Sequence, residues 1–191
     1  FLKTLSYPLY LLDSETMMFA VPPYKNLKPY QQIPFQYSLH YRTSYDGTIF
    51  HTEYLAESDK DPRREIAERL CSDIPKNVCV LAYNKTFECG RLKELAALFP
   101  DLAEHLLCIE KNIKDLIDPF KAGHYYLPAM GGSCSIKSVL PALFPNDASF
   151  DYHNLSGGVQ NGGDAMTIFP LINNYCCPLK IKRHENSVRE A

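Results

Sequence analysis

Tryptophan is absent from the 191 residues, and no apolar run approaches the ~20 residues that crossing a bilayer requires. No two of the seven cysteines are spaced C-x-x-C, so neither a zinc knuckle nor a disulfide framework is legible. There is no excess of one charge: 20 basic against 22 acidic side chains leave −2. Such a chain has no global attraction for polyanions, so a polyanionic substrate must be handled locally, by metal ions or a few basic residues. The opening FLKTLSYPLYLLDSET has one early Lys but no long apolar stretch ending in a small-residue cleavage site, so no signal peptide is read. The expectation is a reducing, cytoplasmic protein with no membrane partner.

What is present is an ordinary globular mix, 46% hydrophobic and 22% charged. That excludes a disordered tail, a collagen-like fibre and a coiled coil. Thirteen Tyr and ten Phe supply bulk for a core, and the length suits one domain. Cys79 and Cys108 sit in apolar runs, where a free thiol behaves as a small hydrophobe. Cys176-Cys177 is the one place for a redox or metal role, and inert burial is the favoured reading.

Residues 7–12 form a short apolar strand that ends at Asp13. Pro22, Pro23, Pro29 and Pro34 then punctuate a long loop, and long loops in compact domains are usually functional or mobile. Residues 35–42 alternate Phe35, Tyr37, Leu39, Tyr41 against polar neighbours, the period of a half-buried strand. Asp46-Gly47 is a hairpin signal, and residues 49–55 read as the returning strand. Asp61-Pro62 starts a helix whose stripe is Ile66, Leu70 and Ile74. Residues 78–83 (VCVLAY) are continuously apolar, as suits a central strand covered on both faces. Helices are predicted over 87–99, 102–108 and 136–144, the last capped by Ser135, with a short strand over 113–117. Residues 156–163 are Gly-rich and read as a loop. A helix start at Asn186 or Ser187 with little chain after it suggests an excised or incomplete domain of a larger protein. The succession implies a mixed α/β sheet with helices on its faces. A three-strand antiparallel meander followed by parallel crossover strands is the order of the RNase H-like fold.

Two short segments could carry chemistry. In Asp13-Ser14-Glu15 the two acids point to one side of a strand. Adjacent carboxylates raise each other's pKa, and a divalent cation relieves that cost; alone, the pair also reads as two exposed acids. In Tyr83-Asn84-Lys85-Thr86-Phe87-Glu88 the central strand ends and a helix begins, the edge where ligand sites form in α/β sheets. Alone, Glu88 also reads as an acid favoured by a helix N-terminus.

Taken together, N-x-x-F-acid (Asn84 to Glu88) after a D-x-E resembles the DEDD group of 3′–5′ exonucleases. The runs Pro29–Ser38, Asp61–Glu65, Tyr83–Glu88, Arg91–Leu95, Gly132–Lys137 and Val139–Pro141 look like an uncharacterised prokaryotic domain-of-unknown-function family similar to RecB-associated, RNase H-like nucleases. The resemblance spans Leu11 to about Ala165 and implies an RNase H-like domain that binds two Mg²⁺ or Mn²⁺ ions through acidic residues. It implies Asp13 bridging both ions, with Glu15 and Glu88 each favouring one, and phosphodiester hydrolysis on single-stranded DNA or RNA. Asn84 would stabilise the turn, Phe87 would anchor the helix start, and Asp115 would support the site or hold a turn. Tyr30, Phe35 and Tyr37 are candidates to stack on bases, with core packing favoured for the last two. Lys25, Lys28 and Lys137 are candidates to meet phosphates.

Two departures stand out. The second motif of the exonuclease group usually ends in Asp, where this chain has Glu88. The final Tyr- or His-containing motif has no match, so the fourth acid is expected beyond Ala191. The competing reading is a catalytically degenerate RNase H-like binding or scaffold module. A cysteine-dependent enzyme is a third: Cys89 and Cys134 lie near helix starts, but no His is placed by sequence to pair with either.

Overall fold

The computed structural model describes residues 1–57, 59–150 and 162–169. Five strands form one mixed sheet: β1 Leu9–Met17, β2 Ile33–Arg42, β3 Phe50–Leu55, β4 Cys79–Ala82 and β5 Ile113–Asp115. Helices α1 Arg63–Asp73, α2 Thr86–Leu98 and α3 Ala103–Asn112 follow the crossovers. Shorter helices are α4 Asp118–Lys121, α5 Ile136–Leu143 and α6 Gly162–Ile168. The strand order is β3-β2-β1-β4-β5. β1, β2 and β3 pair antiparallel, and β4 runs parallel to both β1 and β5.

The alternation of β1 and β2 divides the sheet chemically. Tyr10 and Leu12 of β1, with Tyr37 and Leu39 of β2, are buried under Ile66 and Leu70 of α1 and Leu92 and Leu95 of α2. Leu9, Cys79 and Leu81 form a smaller cluster with Leu5 and Leu116. All four residues of β4 are buried, which accounts for its unbroken apolar sequence. Phe35 and Tyr37 are both 0% exposed, and burying rings of this size contributes roughly 1.5–3 kcal/mol apiece. The ladder slips between Glu15 and Thr16, leaving Phe35 without a partner on β1. This bulge re-aims Phe35, whose ring stacks on Phe169 at 4.0 Å.

Several boundaries differ from the sequence expectation. β1 continues five residues past Leu12, so Asp13 and Glu15 lie inside a strand and not at its end. Its polar stretch pairs with β2 as regularly as its apolar one. Pro62 precedes α1 as its N-cap, and the Asp61 carboxylate accepts the Arg63 N–H at 3.1 Å. Ser135 stands at the N-cap of α5 but its hydroxyl makes no cap hydrogen bond. Gly162 and Gly163, read as loop, open α6, which packs against β1. The Cys176-Cys177 pair and the helix start at residues 186–187 lie outside the described residues. Among the described residues no helix is long and apolar enough to cross a membrane.

Candidate active site

β1 carries Asp13 opposite Ser38 and Glu15 opposite Gln36, on one face of the sheet. Ser14 points to the other face, opposite Tyr37. On its second edge β1 is paired with β4 only over Leu9–Leu11. Past the end of β4 the backbone of Ser14 therefore has no strand beside it, and Glu88 from the first turn of α2 occupies that place. The Ser14 hydroxyl donates to Glu88 Oε1 at 3.3 Å. The Ser14 backbone N–H favours the charged form of both the Asp13 and the Glu88 carboxylates. Ser14 thus stands beside two acids far apart in sequence. Glu88 is only 4% exposed, and its Oε2 is buried without a hydrogen-bond partner.

These acids are held against their own charge. Burial, reinforced by the neighbouring Asp13 and opposed by Lys137, pushes Glu15 up to about 7. Burial also pushes Glu88 up to about 7; Asp13 adds to the rise while hydrogen bonds from its own backbone and from Ser14 resist it. Asp13 lies at the exposed mouth of the site, yet protein packed about its carboxyl raises its pKa as well. Each glutamate is coupled to Asp13, which makes Asp13 the electrostatic centre of the group. An unpaired buried carboxylate oxygen and three raised acids are what a hard divalent cation would relieve, and an all-carboxylate donor set suits Mg²⁺ or Mn²⁺. As the side chains stand, no group of three His, Cys, Asp or Glu among the described residues is arranged to hold a metal ion.

The turn that delivers Glu88 is fixed from a distance. Asn84 adopts a left-handed φ of 63°, a conformation that Asn tolerates better than most residues. Asp115, 5% exposed at the end of β5, accepts the N–H groups of Asn84 at 2.8 Å, Lys85 at 3.0 Å and Ile117 at 3.1 Å. Asp115 therefore holds the turn through two backbone donors, Asn84 and Lys85, and its own following residues through Ile117. Phe87 is half-buried, with the Arg91 guanidinium 5.4 Å from its ring centre.

The residues proposed to meet substrate separate into four places. Lys137, exposed on α5, lies within charge-coupling reach of Glu15. Tyr30 is 65% exposed in the long loop, where its N–H donates to the Phe19 carbonyl at 2.8 Å. Phe35 and Tyr37 are core residues, and Tyr37 donates its hydroxyl to Asp73 at 2.5 Å; neither is a stacking platform. Lys28 lines a cavity of about 270 Å³ with Arg63, Arg91 and Glu94, while the Lys25 carbonyl accepts from Arg63 at 2.7 Å. Arg91, Pro34 and Leu95 also line a small pocket that reaches Ser14 and Glu88.

Two contributors escaped the sequence reading. Ser14 is the unremarked middle residue of D-x-E. Its position past the end of β4 gives it its role, and no local pattern encodes that. Arg91 stands three residues after Glu88, on the same side of α2, a spacing that could have flagged it. Among the cysteines, burial and then Glu110 push Cys89 up, which opposes a reactive thiolate there.

Residues 10–135 match a protein family described as a domain of unknown function, DUF2779, and the chain belongs to that family. No curated protein and no solved structure matches the chain.

Proposed function

We propose that this DUF2779 domain is a divalent-metal-dependent nuclease of RNase H-like fold that hydrolyses phosphodiester bonds in single-stranded nucleic acid, in the manner of 3′–5′ exonucleases. The observation that carries the reading is the electrostatic coupling of both Glu88 and Glu15 to Asp13, with the Ser14 hydroxyl donating to Glu88. The strand order β3-β2-β1-β4-β5, with an antiparallel meander and two parallel strands, is the arrangement an RNase H-like domain requires.

Asp13, Glu15 and Glu88 would hold Mg²⁺ or Mn²⁺, and the bound cations would supply the positive charge that activates a water and stabilises the departing 3′ oxygen. The protein's own residues prepare that site. The Ser14 hydroxyl holds Glu88 beside Asp13, and the Asp115 clamp fixes the turn before α2. Lys137 offsets part of the charge on Glu15. Because the two glutamates titrate near 7, cation binding must displace protons and strengthen as pH rises through that range.

The test is Mn²⁺-dependent degradation of 5′-labelled single-stranded DNA and RNA by the full-length protein that carries this domain. Asp13→Ala and Glu15→Ala should each reduce the rate by about 10²-fold or more. Wild-type rates in both variants would remove the assignment. A catalytically degenerate binding or scaffold module is the second reading, favoured by Glu88 where the exonuclease group carries Asp; that protein would bind strands without shortening them.

A further inference from the structure

The cavity beside α2 has a chemistry of its own. Three cationic side chains, Lys28, Arg63 and Arg91, and one carboxylate, Glu94, line it. Arg91 is spoken for: it pairs with Glu94 at 2.8 Å and donates to Gln32. Arg63 is different. It is 7% exposed and paired with Asp61 at 2.7 Å; its Nε and Nη2 are engaged by Asp61 and the Lys25 carbonyl, while its Nη1 makes no hydrogen bond among the described residues and the side chain lines the cavity. The Lys28 ammonium has no partner among the described residues; its backbone N–H donates to the Gln31 side chain and its carbonyl accepts from the Gln31 N–H, each at 3.1 Å. A fixed buried guanidinium edge and an unpaired lysine facing one space suit an anion. Pro34, Leu95 and Leu98 give the cavity an apolar part of its lining. The Asn26, Gln31 and Gln32 amides also line the space, and side-chain amides can both donate to and accept from a polar ring edge.

We infer that this cavity is a nucleotide-binding site, taking a phosphate on Lys28 and Arg63 and a base against Pro34, Leu95 and Leu98. Its volume of about 270 Å³ holds one nucleotide and not a longer stretch. The link to a strand rests on the proposed nuclease reading: the cavity shares Arg91, Pro34 and Leu95 with the small pocket that Ser14 and Glu88 line, so a nucleotide here would lie beside Glu88. The cavity's chemistry stands without that reading, because a free mononucleotide carries the same groups.

The experiment separates the two. Binding of fluorescein-labelled oligothymidylate is followed by anisotropy in EDTA, with unlabelled dTMP and inorganic phosphate as competitors, and dTMP binding is measured directly by calorimetry. Lys28→Glu removes the free cation. Ala97→Phe crowds the cavity from an exposed position on its rim, so that a folding defect in one variant does not decide the matter. Each should weaken binding about tenfold, while Lys121→Ala, on α4, should not. Loss of the Lys28 contact should also flatten the salt dependence of strand binding by about 0.7 in log–log slope. Strand binding with these sensitivities supports a subsite beside the acids. Binding of dTMP alone, equally sensitive, supports the nucleotide site and makes free nucleotide its ligand, whatever the strand-degradation assay reports. Unchanged affinity in both variants, no binding of either probe, or inorganic phosphate competing as well as dTMP would overturn the inference.

Discussion

The carboxylates of this chain fall into two groups with opposite electrostatics. On the surface, acids are matched to bases. Hydrogen bonds from the Arg64 guanidinium lower Asp101, and Lys76 lowers Glu104. Burial alone would raise Asp61, but the Arg63 guanidinium outweighs it and the net shift is downward. At the C-terminal edge of the sheet the balance is reversed. Asp13, Glu15 and Glu88 are all raised by burial, with Lys137 the one basic side chain that relieves Glu15. The surface pairs are built for the folded chain as it stands. The inner group costs stability at neutral pH, a cost that the proposed cation would offset.

The largest effect should come from Asp115, which makes the inner group possible. Asp115→Ala would leave three backbone N–H groups of the α2 turn and its neighbour without their acceptor. A loss of about 3 kcal/mol in urea unfolding is expected. A loss no larger than that of an exposed Asp→Ala control would mean the turn holds itself.

Next comes the inner group's own cost. A carboxylate whose pKa is raised on folding stabilises the folded state below its unfolded pKa, and that contribution disappears as pH climbs through the folded value. For Glu15 and Glu88 the window runs from about 4.5 to about 7. Metal-free protein should therefore lose Tm as pH rises across it. Glu88→Gln, which keeps the shape and removes the charge, should flatten that slope and stabilise the protein by about 2 kcal/mol above neutrality. A steeper slope in the variant would show that the charge on Glu88 is compensated after all. The smallest effect belongs to the surface pairs. Arg64→Ala, which removes contacts to Glu68 and Asp101, should leave the urea midpoint close to wild type, and high salt should erase what difference there is.

Most of this fold was legible in the sequence because its signals are local. The alternation of residues 35–42, the apolar run of β4 and the stripe of α1 each declare an element within a few residues. Where one face of a strand is polar by design, the signal broke down. Asp13-Ser14-Glu15-Thr16 reads as the end of a strand, because the eye stops at the first charge, yet the ladder runs on to Met17. The bulge at Phe35 and the glycine-opened α6 were hidden because neither a ladder slip nor tertiary packing leaves a mark in composition. The identities of the acids were readable; what binds them together was not. Asp115 reaches the α2 turn from the far end of the same crossover, with α2 and α3 between them, and Ser14 gains its role only because β4 stops short of it.

Calorimetric titration with Mn²⁺ at about pH 8, where both glutamates are charged, tests the central claim most directly. Saturable uptake by the wild-type protein, lost in Asp13→Asn and weakened in Glu88→Gln, is the predicted result. No uptake, or uptake that neither substitution changes, would mean that these three carboxylates do not form a cation site.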